Sequence, residues 1–432
     1  MNQPRTSQWR RLDNAAKIFP PTSTRRDPKV FRFSCCLAEK IDPVLLQRAL
    51  DRTIRQFPFF CARLRKGLFW YYLEDKKSRP LVCPEYKPPC SQIYRGDHKD
   101  LLFEVTYFGR RVNLEIFHAL ADGTGALQFL RTMIFAYLAE KYGIPGRLSD
   151  YDAAQDQKSL DAFYKYYDKY HDKNEIAPKA KRCRAYRIRG ERWPDGRLSI
   201  IEGFLSVGAV LEKAHKHHAT LSEFLIALLI SSIYDGMAVR ERTRPVVITV
   251  PVDLRRFFSA RTVRNFFGLI QIAHDFRKDG EEFEQVLAHV KQSFEQQLTK
   301  EYLSGIISRY SVMENNPLIK AIPLAVKIPI LRLAGLRSEG EDTAAFSNIG
   351  RIVMPAEAAG YIRLFDVFLC AKRPQLCLCS FGDTLAISVS SPLVDTGIQR
   401  RFFRSLTGLG IPLQVVSNLE QGGREEVSHA SV

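Results

Sequence analysis

The chain has 432 residues, 45% of them hydrophobic and 26% charged, a length and composition that predict two globular domains rather than one core. We expect no integral membrane segment, no secretion signal and a cytoplasmic protein, since no apolar run is long enough for a membrane span and the N-terminus lacks an apolar signal region. The formal net charge of +17 is compatible with nucleic acid, an anionic membrane surface or a phosphorylated ligand as a partner.

The cysteines and histidines give little indication of a metal site. Nine cysteines are scattered without paired ligand spacing, which predicts free and mostly buried thiols in a reducing cytoplasm. The histidine cluster at 215–218 has no cysteine or carboxylate at zinc-site spacing, so a solvated helix end is the preferred interpretation. We therefore expect neither a metal site nor a disulfide scaffold.

The first residues of the chain predict an arm, a helix and a hairpin. Residues 1–28 are irregular, with apolar side chains such as Leu12 and Phe19 that can dock on the body. The pair Asp42-Pro43 predicts a helix start, with a capping carboxylate before a proline in the first helical position. The aromatic stretch 63–74 predicts a hairpin that turns at Lys66-Gly67.

A change of sequence period surrounds His118. Residues 101–117 are strand-like on both sides of a turn at Gly109, and the apolar residues from 126 to 138 recur with helical spacing. His118 therefore ends a strand, and Asp122 with Gly123 opens the next helix. A side chain at such a junction can project into a cleft while the strand holds it rigid.

The residue types at this junction favour proton transfer. An imidazole can take a proton near neutral pH and return it later, as a general base does. A carboxylate in the turn can brace it through an arginine, and Gly123 permits close approach of a substrate. The alternative is that Asp122 merely caps a helix and His118 is a satisfied core histidine. These residues alone leave both interpretations open.

Tyrosines and lysines alternate within 149–194, where the regular pattern breaks. Aromatic rings among cations could stack nucleic-acid bases. We favour a crossover segment between domains, because the run is short and no matching platform occurs elsewhere.

The second half predicts an alternation of strands and helices. Its predicted elements are strands at 198–207 and 246–250, a capped buried helix from 221, an amphipathic helix at 281–302, bent helical pieces at 316–336, strands at 364–369, 376–380 and 384–390, and a closing helix at 398–409.

With its flanks, the junction at His118 resembles a signature of the CoA-dependent acyltransferase superfamily. This superfamily includes condensation domains of nonribosomal peptide synthetases, plant BAHD acyltransferases, chloramphenicol acetyltransferase and bacterial alcohol acetyltransferase-like proteins. His118, Asp122 and Gly123 match its HxxxDG motif, and Phe117 replaces the second histidine usual in condensation domains.

Two later stretches are similar to motifs of the same superfamily. Residues 251–255 followed by 265–268 resemble its second-domain strand and loop, and 347–350 resembles a late motif near the domain interface. The BAHD form of that late motif is absent, which argues against a plant-type member.

The resemblance implies an α/β fold with mixed sheets. Two chloramphenicol acetyltransferase-like domains would form a pseudo-dimer, with a tunnel between them and His118 at the cleft. The N-terminal domain would span 1–175, including the crossover from about 149, and the C-terminal domain 176–432. We expect a monomer.

The resemblance further implies an acyltransferase in which His118 is the general base. An acyl group would move from a thioester to the hydroxyl or amine of a small-molecule acceptor. Asp122 would pair with an arginine such as Arg255. Backbone N–H groups near Gly123 would stabilise the oxyanion, aided by Thr124 or by Ser347.

Asn265 and Asn348 are weaker candidates to line the tunnel, and either can instead serve turn chemistry. They complete the set of residues that the resemblance assigns to the site.

No bound cofactor is expected. Acyl-CoA, or the phosphopantetheine thioester of an acyl carrier protein, would be the co-substrate, and a basic tunnel mouth would meet the CoA phosphates or an acidic carrier protein. No nucleic-acid partner is expected, because the basic residues are spread along the chain without a nucleic-acid motif. The alternatives are a non-catalytic binding protein on the same fold and a condensation-type, amide-forming enzyme that acts with carrier proteins in trans.

Overall fold

The computed structural model describes residues 9–76, 78–96, 100–146, 148, 184–258, 260, 262–338, 340–370 and 372–419. The Tyr- and Lys-rich stretch falls mostly outside these residues, and so does the predicted domain boundary at 175. Both remain predictions.

The strands form three sheets. The strands are β1 (Trp9–Arg11), β2 (Val30–Leu37), β3 (Ala62–Lys66), β4 (Tyr71–Asp75), β5 (Val82–Pro84), β6 (Phe103–Phe108), β7 (Arg111–Phe117), β8 (Ser199–Ser206), β9 (Val246–Asp253), β10 (Phe267–His274), β11 (Ala344–Arg351), β12 (Ile362–Leu369), β13 (Gln375–Phe381), β14 (Thr384–Ser391) and β15 (Leu413–Ser417). A five-stranded sheet has the order β12-β2-β7-β6-β5, a seven-stranded sheet the order β10-β9-β11-β13-β14-β8-β15, and a small sheet the order β1-β4-β3. The fold is therefore α/β with mixed sheets, as expected.

Helices cover these sheets. They are α1 (Phe19–Thr22), α2 (Pro43–Gln56), α3 (Gly123–Tyr142), α4 (Val207–Lys216), α5 (Leu221–Tyr234), α6 (Arg255–Phe258), α7 (Phe276–Asp279), α8 (Phe283–Gln297), α9 (Lys300–Asn315), α10 (Pro317–Ala321), α11 (Leu324–Ser338), α12 (Ala356–Ala359) and α13 (Gly397–Gly408), with short 3-10 turns at Ala15–Ile18, Pro58–Phe60 and Val239–Glu241. None of the described helices is both long and apolar enough to cross a membrane.

Local capping explains several of the predicted helix starts. The Asp42 carboxylate accepts hydrogen bonds from the first N–H groups of α2, and Thr220 with Glu223 forms a capping box at α5. The predicted helix at 281–302 is wrong as a single element. Thr299 accepts a hydrogen bond from the Tyr302 N–H and starts α9, so the chain forms α8 and α9 instead.

The second half of the chain completes the first sheet. Strand β12 pairs antiparallel with β2, so an edge of the five-stranded sheet comes from residues far along the sequence. One hydrophobic core packs α2 and α3 against this sheet, and a second packs α5, α8 and α13 against the seven-stranded sheet. The eight cysteines that the structure describes are free thiols, as expected.

Candidate active site

His118 directly follows the last residue of β7. Its backbone N–H donates to the Lys29 carbonyl at 2.8 Å, which extends the pairing of β7 with β2. Because strand side chains alternate between faces, Phe117 is buried in the first core and the half-buried His118 turns to the other side. The junction predicted from the change of period is confirmed.

Asn265 contacts His118 through both ends of its amide. Its Nδ2 donates to the His118 carbonyl oxygen at 3.1 Å, so its Oδ1 is the atom 3.2 Å from His118 Nδ1. An amide oxygen only accepts hydrogen bonds, and this pairing therefore places the ring proton on Nδ1. The other ring nitrogen, Nε2, then carries the free lone pair that a base needs.

Aromatic rings surround the imidazole. Phe19 stacks on it with centroids 4.4 Å apart, Phe31 meets it edge-on at 5.0 Å, and Phe267 lies at 5.7 Å. Burial lowers the pKa of His118 from its ordinary value, against the opposing effects of its own carbonyl, Asp122 and Asn265. The ring is therefore held neutral at neutral pH.

Asp122 links the start of α3 to the second half of the chain. Its Oδ1 accepts from the Gly125 N–H at 3.0 Å and so caps the helix. Its Oδ2 accepts from the Arg255 guanidinium at 2.9 Å and from the Phe266 N–H at 3.0 Å. Asp122 is only 4% exposed. Asp122 therefore both caps α3 and pairs with an arginine.

Arg255 connects Asp122 to the loop that carries Asn265. Its Nη1 lies 2.9 Å from the Asp253 carboxylate, and its Nε donates to the Thr262 carbonyl at 2.7 Å. The Thr124 hydroxyl donates to the other oxygen of Asp253 at 3.2 Å. Asp122, Thr124 and Arg255 therefore brace the junction between the halves.

Two glycines allow the opening turn of α3 to approach the second half closely. A Cβ on Gly123 would lie 3.1 Å from a methyl carbon of Ile349, whereas a Cβ on Gly125 would lie only 1.9 Å from the Val263 carbonyl oxygen. The sequence had singled out Gly123 alone. Gly125 is the stricter requirement, because backbone cannot move aside as a side chain can.

Ser347 and Asn348 lie on β11. Ser347 is half-buried and lines the same cavity as His118. Asn348 is exposed; its Nδ2 donates to the Ser222 hydroxyl at 2.9 Å, and its Oδ1 accepts from the Gly350 N–H at 2.8 Å. The amide of Asn348 thus holds an irregularity in the strand.

A cavity of about 1220 Å³ lies between the two halves. His118, Asp122, Thr124 and Ser347 line it together with residues of β2, β9 and β11. Phe267 also lines this cavity, whereas Phe117 and Phe266 belong to the hydrophobic cores. Phe19, from the N-terminal arm, lines the cavity and was not predicted as a site residue.

The structure is similar to several solved structures, although the sequence identities are low. No protein-family model and no curated protein matches the chain. The structure is similar to trichothecene 15-O-acetyltransferase TRI3 from Fusarium sporotrichioides, with TM-score 0.60, 11% identity, and 95% of this chain and 96% of that chain covered. Polyketide synthase associated protein 5 from Mycobacterium tuberculosis has TM-score 0.60 and 15% identity, with 94% and 98% covered.

The starter condensation domain of rhizomide synthetase in complex with C8-CoA has TM-score 0.61 and 13% identity, with 93% of this chain and 95% of that chain covered. The likeness in each case runs over nearly the full length of both chains. The chain therefore has the same fold as these acetyltransferase and condensation-domain structures.

Proposed function

We propose that the protein is an acyltransferase that moves an acyl group from a thioester to a hydroxyl or amine, with His118 as general base. The observation that carries the proposal is the pairing of His118 with Asn265. It leaves the Nε2 lone pair of a neutral imidazole available in a cavity that residues of both halves line.

In the proposed reaction one proton passes from the acceptor to His118 and then from His118 to the leaving thiolate. His118 Nε2 takes the proton from the acceptor O–H or N–H as the acceptor oxygen or nitrogen attacks the thioester carbonyl carbon. The tetrahedral oxyanion then collapses, the C–S bond breaks, and the leaving thiolate takes the proton from His118. Products are an ester or amide and a free thiol, with no acyl-enzyme. The lowered pKa of His118 keeps the imidazole unprotonated before the first step and makes the imidazolium a readier proton donor in the second.

Oxyanion stabilisation is assigned to Ser347 in preference to Thr124. The Thr124 hydroxyl already donates its hydrogen bond to Asp253. If it donated to the substrate instead, the Asp253 carboxylate would lose one hydrogen-bond partner. Ser347 lines the same cavity as His118, from β11. Removing one oxyanion donor typically costs on the order of 10²–10³ in kcat, which is the loss expected for Ser347→Ala.

Acyl-CoA is the proposed donor, in accord with the basic character of the chain. Among the residues that line the cavity, Arg256 and Arg332 are exposed cations, and exposed guanidinium groups bind phosphate oxygens well. The condensation domain with bound C8-CoA supports this choice by analogy of fold. A carrier-protein phosphopantetheine thioester presents the same reacting group, so the choice of donor is tested separately from the chemistry.

A free-thiol release assay tests the proposal. Acyl-CoAs of increasing chain length and, separately, acyl carrier-protein thioesters are offered with a panel of alcohols and amines, first to the wild-type protein and then to His118→Ala. We expect thiol release that requires an acceptor and disappears in the variant. The control is His217→Ala, which removes a half-buried histidine paired with Glu284 on another helix.

Release that persists in His118→Ala would overturn the proposed base. Activity confined to carrier-protein thioesters would contradict acyl-CoA as the donor and leave the base in place. Absence of release with both donor types would contradict acyl transfer itself and favour a binding protein on this fold.

A further inference from the structure

Three potential metal ligands meet in the second half of the chain. His274 is the last residue of β10, Asp279 ends the short helix α7, and His289 lies in α8. One potential ligand atom from each of these three side chains lies within 4.8 Å of those of the other two. None of the three lines the cavity around His118, so they form a separate site.

The imidazole of His274 has one nitrogen engaged and one free. Its Nε2 lies 2.9 Å from the Gly280 carbonyl oxygen, which can only accept, so Nε2 carries the proton and Nδ1 carries a lone pair. His274 is 0% exposed, and Nδ1 has no hydrogen-bond partner in the part of the chain that the structure describes. Metal-binding histidines have this arrangement, with the second nitrogen donating to a carbonyl.

Asp279 is oriented by the backbone. Its Oδ2 accepts from the Asp275 N–H at 2.8 Å, and its Oδ1 lies 3.8 Å from His289 Nδ1. Arg277 and Lys278, the cations of the same turn, form ion pairs with Asp275. The negative charge of Asp279 is thus directed at the histidine pair.

The two histidine rings lie close and nearly perpendicular. Their centroids are 5.2 Å apart at an interplanar angle of 87°. The side chains of His289 and Asp279 are 27% and 25% exposed, so an ion can enter from solvent while His274 forms the buried wall.

We propose that His274, Asp279 and His289 bind a divalent transition metal ion, with zinc the best match, and with water completing the coordination. Two imidazoles and a carboxylate suit zinc far better than magnesium. Zinc bonds of about 2.0–2.2 Å would bring the ligand atoms to roughly 3.3 Å from one another. The contraction requires rotation of the His289 and Asp279 side chains, both of which are partly exposed.

Metal binding would fasten the end of β10 to α8. The same helix carries Phe294, and Leu298 follows it directly; both line the cavity. The ion would therefore stabilise one wall of the cavity without touching the reacting groups. The sequence predicted no metal site. The three residues follow no zinc-site spacing, and the turn at Gly280 brings them together.

Metal content and thermal stability test the site, independently of acyl transfer. The full-length protein is stripped with a chelator, titrated with Zn²⁺ and desalted. Metal is then counted by mass spectrometry, and Tm is measured with Zn²⁺ or Mg²⁺. We expect one zinc per chain and a rise in Tm with Zn²⁺ only. His289→Gln and Asp279→Asn should each weaken zinc binding by at least about 10–100-fold, the cost of losing even an outer partner.

The matched control is His217→Gln. His217 is 29% exposed and pairs with Glu284 at 2.8 Å, an ordinary histidine–carboxylate pair outside the triplet; it should keep full zinc binding. The variants of His289 and Asp279 change half-exposed side chains, so their folding is checked by Tm without metal. Failure of the wild-type protein to retain zinc would overturn the proposal. So would zinc binding that survives both substitutions, or that is lost equally in the control.

Discussion

Replacing Asp122 separates its two roles, as a helix cap and as the partner of Arg255. Asp122→Ala removes the bond to the Gly125 N–H together with the ion pair. Asp122→Asn keeps a good capping side chain but removes the charge. Asp42→Ala is the matched control, because the exposed Asp42 caps α2 through two backbone N–H groups and has no ion pair among the described residues.

The expected losses follow from burial. Loss of an exposed cap typically costs about 1 kcal/mol, which is the value for Asp42→Ala. Removing one partner of a buried ion pair costs about 3–5 kcal/mol. Arg255 keeps Asp253 as a second partner, so we expect about 3 kcal/mol for Asp122→Ala, at the lower end of that range. Asp122→Asn should lose about 2 kcal/mol, since its cap remains.

Urea unfolding measures these differences. The chain has two hydrophobic cores and can unfold in more than one step, so transition midpoints are compared by tyrosine and tryptophan fluorescence and by far-ultraviolet circular dichroism. An equal loss of stability in Asp122→Ala and Asp42→Ala would show that Asp122 is only a helix cap. Wild-type stability of Asp122→Asn would likewise show that the ion pair with Arg255 contributes nothing.

Three further variants test the surroundings of the base. Asn265→Asp places a carboxylate beside His118 Nδ1, which favours the imidazolium and raises the pKa of His118. The acidic limb of the kcat/KM profile should therefore move to higher pH. An unchanged pH profile would contradict the proposed contact. Gly125→Ala drives a methyl group into the Val263 carbonyl and should cost about 1–3 kcal/mol or more, as overpacking does; a Tm equal to wild type would contradict the close approach. Phe19→Ala admits water to the His118 ring and relieves its desolvation. The acidic limb of the kcat/KM profile should therefore also move to higher pH, toward the ordinary histidine pKa of about 6.5. An unchanged acidic limb would show that the N-terminal arm does not shield the ring.

Short-range patterns predicted much of the fold. The hairpin β3–β4, the strand β7 and the capped helices α2 and α5 follow from residues that are neighbours in sequence. The prediction of one helix over 281–302 was wrong because it relied on apolar spacing alone and ignored a local capping residue. Its apolar spacing continues through 298, but the hydrogen bond from the Tyr302 N–H to Thr299 starts a new helix and interrupts the pattern.

Long-range contacts explain what the sequence left out of the site. His118 and Asp122 could be found because they lie on one junction, and Arg255 followed from the resemblance. The stacking of Phe19 depends on where the N-terminal arm docks, and no local pattern encodes that. The orientation of Asn265 depends on its loop, whose backbone N–H at 265 donates to Asp13 at 3.1 Å.

The single-turnover rate of His118→Ala shows whether His118 is the general base. Enzyme in excess is mixed with the best acyl-CoA and acceptor from the thiol-release panel, and product formation is compared with wild type and with His217→Ala, after circular dichroism shows that all three are folded. We expect a rate lower by a factor on the order of 10²–10⁴ in His118→Ala, the loss typical of a missing general base, and a wild-type rate in His217→Ala. A wild-type rate in His118→Ala would show that His118 is not the base.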